Sequence, residues 1–359
     1  MQQTDRHTLH RLLKALPKVD LHRHLEGSIR PETILELAVA QGVNLPTYDL
    51  GALRQLVQIG EERPGFSAFL EKFRLIREIW VSLDAVERVA AEAVADAAGD
   101  HVRYLELRYS PRHFARKAGF SIEAVCERVT RGARRAASES GMIVNFIATL
   151  GRDFGVAANA SSAEYAIAHA GDLFVGLDLA GDETRFPAEP FLPLFERAKS
   201  AGLGITIHAG EAAGAENVRE ALELFHAQRI GHGIRAIDDE RTLALARERN
   251  ATFEICLTSN IHTSVVKDLR DHPIKKLLAA ACAVTLNTDD PAISNMIDLT
   301  HEYSVALSDV GLTLADLRRI ILAGLDAAFL PAGEKRRLRE ELEREIDAHI
   351  AEYLPPEPA

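Results

Sequence analysis

Four short clusters in this chain combine metal-ligating and proton-transferring side chains. They are His22-Arg23-His24, His208-Ala209-Gly210-Glu211, Gly231-His232-Gly233 and Asn287-Thr288-Asp289-Asp290-Pro291. Imidazole nitrogen suits a borderline cation such as zinc, and a carboxylate oxygen can complete its ligand set. Three histidines, one aspartate and an open position for water make a catalytic zinc site. A further carboxylate and a further histidine are what hydrolysis needs for proton transfer.

Each cluster alone also has a plainer reading. His22 and His24 share one face of a strand while Arg23 points away, and the two could simply be hydrogen-bonded to neighbours. His208 ends an apolar run, ITIH, where one histidine can be a satisfied core residue, and Glu211 could be a solvated residue near a helix start. The glycines around His232 let the backbone approach a ligand closely, or merely make a turn. Asp289 and Asp290 follow an apolar strand, where carboxylates are costly unless paired. A helix N-cap with Pro291 in the first turn explains one aspartate better than two.

Position is what joins the clusters. Eight short runs read as strands, at 19–21, 103–107, 143–149, 174–179, 205–208, 229–231, 252–256 and 284–287. Between them, stretches such as 123–138, 189–201, 218–227 and 240–249 repeat apolar residues at helical steps. This alternation signals βα units on a parallel sheet. Eight units predict an α/β fold, the (β/α)8 TIM barrel, with an open doubly wound sheet as the rival. The polar clusters then fall at the C-terminal strand ends, where barrel enzymes build their sites.

The interval between the first and second strands is much longer than the rest. It includes 66–79, with Phe66, Phe69, Leu70, Phe73 and Ile76 at helical spacing. Long insertions belong to βα loops at the active-site end, so about 40–95 reads as a helical cap over the pocket. Packing of the phenylalanines against the barrel wall is the alternative. Extra C-terminal helices follow at 314–324 and 333–350, and the tail PPEPA reads as frayed. No repeat or linker interrupts the chain, so residues 1–359 read as one domain.

A net charge of −11 argues against nucleic acid or an anionic membrane as partner, but leaves an uncharged nucleoside open. Cys126, Cys256 and Cys282 read as buried small hydrophobes, and without a CxxC neither a zinc ribbon nor a thioredoxin-type site is expected. The N-terminus lacks the apolar core of a signal peptide, and no stretch approaches the ~20 apolar residues of a membrane span. A cytoplasmic protein, monomeric by default, is the expectation.

The segments HRHLEGSIRPETILEL, LDLAGDE, HAGEAAG, RIGHG, CLTSNIHT and NTDDP resemble the adenosine deaminases among the metal-dependent amidohydrolase barrels. The resemblance runs from about Pro17 to Leu330 and is closest to the bacterial members, including HEYSVALSDVGLT and AFLPAGEKRRLRE. It implies one zinc per chain, held by His22, His24, His208 and Asp289. It also implies hydrolysis of adenosine and 2′-deoxyadenosine at C6, yielding inosine or its deoxy analogue and ammonia. Glu211 matches the proton shuttle facing purine N1, His232 the residue that orients the attacking water, and Asp289 assists it. Asp290 matches the N7 contact and the Gly181 backbone the N3 contact, with His24 and Glu26 also on the substrate.

One position departs from the family pattern. HLDG is usual after the first strand, its aspartate contacting the ribose 5′-hydroxyl, whereas this chain has HLEG with Glu26. The longer side chain leaves room for two alternatives: a 5′-modified adenine nucleoside such as aminodeoxyfutalosine, or adenine itself. LAGDE argues for the nucleoside branch. A silent nucleoside-binding protein is disfavoured because every expected position is filled. Two-metal amidohydrolase chemistry is disfavoured because the fourth strand ends in Leu179-Ala180-Gly181, with no lysine.

Overall fold

The computed structural model describes residues 6–60 and 65–354. Eight parallel strands run in chain order around one sheet: β1 (Lys18–His24), β2 (Val102–Tyr109), β3 (Ile143–Gly151), β4 (Phe174–Ala180), β5 (Gly204–Ala209), β6 (Arg229–His232), β7 (Thr252–Ile255) and β8 (Ala283–Leu286). All eight expected runs are strands, and the TIM barrel replaces the open sheet. Closure comes just past β8. The Asp289 amide donates to the His22 carbonyl at 2.8 Å, and the His24 amide to the Asp289 carbonyl at 2.8 Å. The Leu21 amide finds the Asn287 side chain, 3.0 Å away, so a side chain completes the seam.

The apolar side chains face outward under the helices, and the barrel axis is polar. Glu106, Arg108, Asp178, Arg229 and Glu254 are fully buried there. Arg229 Nη2 lies 2.6 Å from Glu106 and its Nε 2.7 Å from Glu254, while Arg108 Nη2 lies 2.7 Å from Glu254. Burying charge is tolerable only when it is paired in this way.

Helices at Pro31–Gln41, Leu50–Val57 and Leu83–Gly99 fill the long interval between β1 and β2. The expected helix over 66–79 is broken into Phe66–Glu71, Phe73–Ile76 and a 3-10 turn at Arg77–Ile79. The tighter turn brings the buried Trp80 indole to donate to His113 Nε2 at 3.2 Å. The helix expected over 218–227 is Ala215–Glu223. The chain leaves it early so that Phe225 packs edge-on to Phe195, with ring centroids 5.3 Å apart. C-terminal helices Leu314–Ala327 and Ala332–Tyr353 follow β8, and the PPEPA tail lies outside the described residues. Among the described residues, no helix is long and apolar enough to cross a membrane.

Candidate active site

The C-terminal strand ends bring the four sequence clusters together. His24 Nε2 lies 3.2 Å from His208 Nε2 and 3.5 Å from Asp289 Oδ1, and His22 Nε2 lies 3.4 Å from the same oxygen. His232 Nε2 is 3.6 Å from Glu211 Oε2 and 3.8 Å from Asp289 Oδ2. His232 and Asp289 both sit at φ 60, the left-handed region that a side chain occupies at a cost. Gly233 continues the turn at φ 67, where a Cβ would lie 2.3 Å from the Phe253 ring.

Two buried carboxylates set the direction of the histidine lone pairs. His22 Nδ1 lies 2.8 Å from Glu254 Oε2, and His208 Nδ1 lies 3.0 Å from Asp178 Oδ1. An ionised carboxylate only accepts, so each Nδ1 carries the proton and each Nε2 presents a lone pair. Arg108 lies between the two carboxylates, 2.7 Å from Glu254 and 3.4 Å from Asp178, and the charges of both its partners favour its cationic form. Burial works against the charge on Glu254, yet Arg108 and Arg229 hold its pKa well below the usual carboxylate range.

The arrangement therefore aims lone pairs and an anionic oxygen at one point. His22 Nε2 is buried with no hydrogen-bond partner. The ligand atoms of His22, His24 and Asp289 lie within 4.8 Å of one another, and His208 Nε2 lies 3.2 Å from His24 Nε2. Acceptors facing acceptors in a dry site repel unless a cation lies between them, so the residues fit a divalent metal ion. Cys256 was expected to be a buried hydrophobe. It is buried, but its sulfur also lies within 4.8 Å of ligand atoms of His232 and Asp289.

Glu211 stands beside this cluster, 7% exposed. Burial, then the charges of Asp289 and Glu183, push its pKa well above the usual range, which favours the protonated acid. Its loop is shaped by Glu183, which sequence reasoning passed over. One Glu183 oxygen accepts from the amides of Glu211, Ala212 and Ala213 at 2.8, 2.8 and 3.0 Å. The other accepts from the Gly210 amide and Asn217 Nδ2, each at 2.9 Å.

Glu26, Gly181 and Asp290 line the same cavity as His24, Glu211 and His232. Asp290 Oδ1 is buried without a partner, and burial, with Asp289, Glu26 and Glu211 nearby, raises its pKa well above normal. Gly27 makes room for it: a Cβ there would lie 1.9 Å from Asp290 Oδ1. Glu26 Oε1 accepts the Ser110 amide at 2.6 Å, Oε2 is left without a partner, and burial pushes the carboxyl up to about 7. Phe66, Phe69, Leu70 and Phe73 from the insertion form an apolar wall of this cavity. Phe69 and Phe73 are also packed in the core, so lining and packing both apply. A cavity with an apolar wall and a few convergent polar groups suits a flat heteroaromatic ligand.

A profile of the family described as "Adenosine deaminase" matches residues 17–345. Among curated proteins, the adenosine deaminase of Aliivibrio fischeri is 44% identical over 329 residues, covering 92% of this chain and 98% of that one. That of Shigella flexneri is 42% identical over 327 residues, covering 91% and 98%. Among solved structures, an amidohydrolase from Burkholderia ambifaria with bound Zn superposes with a TM-score of 0.88 at 26% identity, covering 97% of this chain and 95% of that one. The adenine deaminase of Arthrobacter aurescens gives 0.85 at 25% identity, covering 92% and 99%.

Proposed function

The chain belongs to the adenosine deaminase family, and from that premise we propose that it hydrolyses the 6-amino group of adenosine and 2′-deoxyadenosine. The observation that carries this reading is Glu211, a buried carboxyl whose Oε2 lies 3.6 Å from His232 Nε2, beside a cluster that fits a cation.

His22, His24, His208 and Asp289 are the residues that would hold zinc. Bound there, the cation would make a water nucleophilic at neutral pH. Glu211 donates its proton to purine N1, so that C6 accepts attack without building a full negative charge on the ring. His232 and Asp289 hold the attacking water and manage its proton. Asp290, whose carboxyl burial shifts toward the protonated form, donates to N7, and the Gly181 backbone meets N3. The water's proton passes to the 6-amino nitrogen, the C–N bond at C6 breaks, ammonia leaves, and the 6-oxo purine, protonated on N1, remains.

A second reading, a 5′-modified adenine nucleoside, is favoured by one observation. Glu26 Oε2 and Arg77 Nε are buried without partners among the residues lining the cavity, as if awaiting a polar substituent. An ultraviolet assay of zinc-loaded protein with adenosine, 2′-deoxyadenosine, adenine and a 5′-modified adenosine separates the readings. Fastest turnover of adenosine supports the first, and preference for the 5′-modified substrate supports the second. Glu211→Gln abolishes turnover in a folded protein if the acid is correctly assigned, and retained turnover would sink that role.

A further inference from the structure

Behind His232 runs a chain of hydrogen bonds that starts at a backbone amide. The Ile274 N–H donates to His272 Nδ1 at 3.1 Å. His272 Nε2 lies 3.1 Å from Asn260 Oδ1, and Asn260 Nδ2 lies 3.2 Å from His232 Nδ1. All three side chains are buried.

A backbone amide can only donate. His272 Nδ1 is therefore the acceptor, and its ring carries its proton on Nε2. That proton can only go to the Asn260 oxygen, so the amide nitrogen of Asn260 faces His232. The reverse orientation would place two protons between Asn260 and His272. Asn260 Nδ2 thus donates to His232 Nδ1. With that nitrogen occupied as an acceptor, the His232 proton sits on Nε2, the atom 3.6 Å from Glu211 and 3.8 Å from Asp289.

The partner at Nδ1 sorts the histidines of the site. His22 and His208 meet carboxylates there and present lone pairs at Nε2. His232 meets an amide donor and presents a proton. We infer that Asn260 and His272 are positioning residues that fix His232 as a hydrogen-bond donor at Nε2. His232 therefore holds the oxygen of the attacking water and does not take its proton. Asp289, the carboxylate 3.8 Å away, is the group left to accept that proton.

The inference rests on the deaminase reading for the reaction it serves, but the tautomer can be read without turnover. The experiment is long-range proton–nitrogen NMR on zinc-loaded full chain labelled with nitrogen-15 histidine. The His232 signal among the 14 histidines is identified by its loss in His232→Ala. The expected result is a pyridine-type Nδ1 and a pyrrole-type Nε2. Asn260→Asp keeps an acceptor for His272 but offers His232 only acceptors, so the tautomer reverses. We expect kcat to fall on the order of 100-fold, with KM changed by less than roughly threefold, as for loss of a group acting in the transition state.

A pyrrole-type Nδ1 in the wild-type protein overturns the inference. So does a folded Asn260→Asp variant with an unchanged tautomer, or with kcat within about twofold of wild type. If that variant does not fold, the wild-type spectrum decides alone. Absence of adenosine turnover by wild type would instead count against the proposed function and leave the tautomer result standing.

Discussion

The Nδ1 atom of His22 lies 2.8 Å from Glu254 Oε2, a bond made wholly inside the barrel and out of reach of solvent. It fixes which nitrogen of His22 faces Asp289. Glu254→Gln replaces an acceptor that takes both arginines and the imidazole with an amide that cannot satisfy all three. Zinc affinity should fall roughly 10–100-fold, the usual effect of losing a partner that orients a ligand. Competition with a chromogenic chelator measures it, and unchanged affinity would show that His22 keeps its orientation without Glu254.

Gly27 tests the placement of Asp290. A methyl group at 27 would lie 2.5 Å from the Asp290 Cβ, so the Asp290 side chain must move. Gly27→Ala should lower kcat/KM on the order of 100-fold, the scale of a misplacement of about 1 Å. Bound zinc, measured by atomic absorption, should not change, because no metal ligand is displaced. Loss of zinc with activity would mean that the methyl group disturbs the cluster itself.

Glu183 is expected to refuse its isostere. Both of its oxygens accept from several donors. Whichever way a glutamine lies, its NH2 group meets amide donors. Glu183→Gln should cost about 3 kcal/mol in urea unfolding, since each buried unsatisfied donor costs roughly 1–3 kcal/mol. Amide exchange at Gly210–Ala213 should quicken most. Wild-type protection there would mean that the loop is held by something other than Glu183.

Glu302 gives a pH dependence of stability. Burial raises its carboxyl from 4.5 to about 7, although it accepts the Leu257 and Thr258 amides. Between those values the folded chain holds a proton that the unfolded chain has released. This contribution is complete below pH 4.5, fades as pH rises through about 7, and amounts to about 3 kcal/mol. Glu302→Gln carries no charge at any pH, and its oxygen can accept both amides. It should match wild type in melting temperature at pH 5 and exceed it at pH 8. Equal melting temperatures at pH 8 would mean that Glu302 is ionised without penalty.

The barrel was legible because each strand is a compact apolar run and each following helix shows its own period. The four clusters were legible because histidine and aspartate at the end of an apolar strand demand an explanation. The charges along the barrel axis were not. Alternation assigns polar residues outward, whereas Arg108, Arg229 and Glu254 point inward and pair with partners far away in sequence. Their one visible signal was a charged residue inside an otherwise apolar strand, as in TFEI. Asn260 lay within a recognised motif, but its meaning depends on His272 and the Ile274 amide, a relation that exists only once the chain is folded. The break in 66–79 was hidden for a similar reason, since the indole–imidazole contact that accompanies it joins Trp80 to His113 across the fold.

The seam where β1 meets the residues after β8 has a consequence for biogenesis. His22 and His24 leave the ribosome long before Asp289, which pairs with them through backbone hydrogen bonds. A nascent chain offers a pair of imidazoles long before it offers a pocket. A cation held by His22, His24, His208 and Asp289 together could be captured in full only after the last strand has docked against the first. A product cut short before residue 287 would lack Asp289 and with it the closing seam.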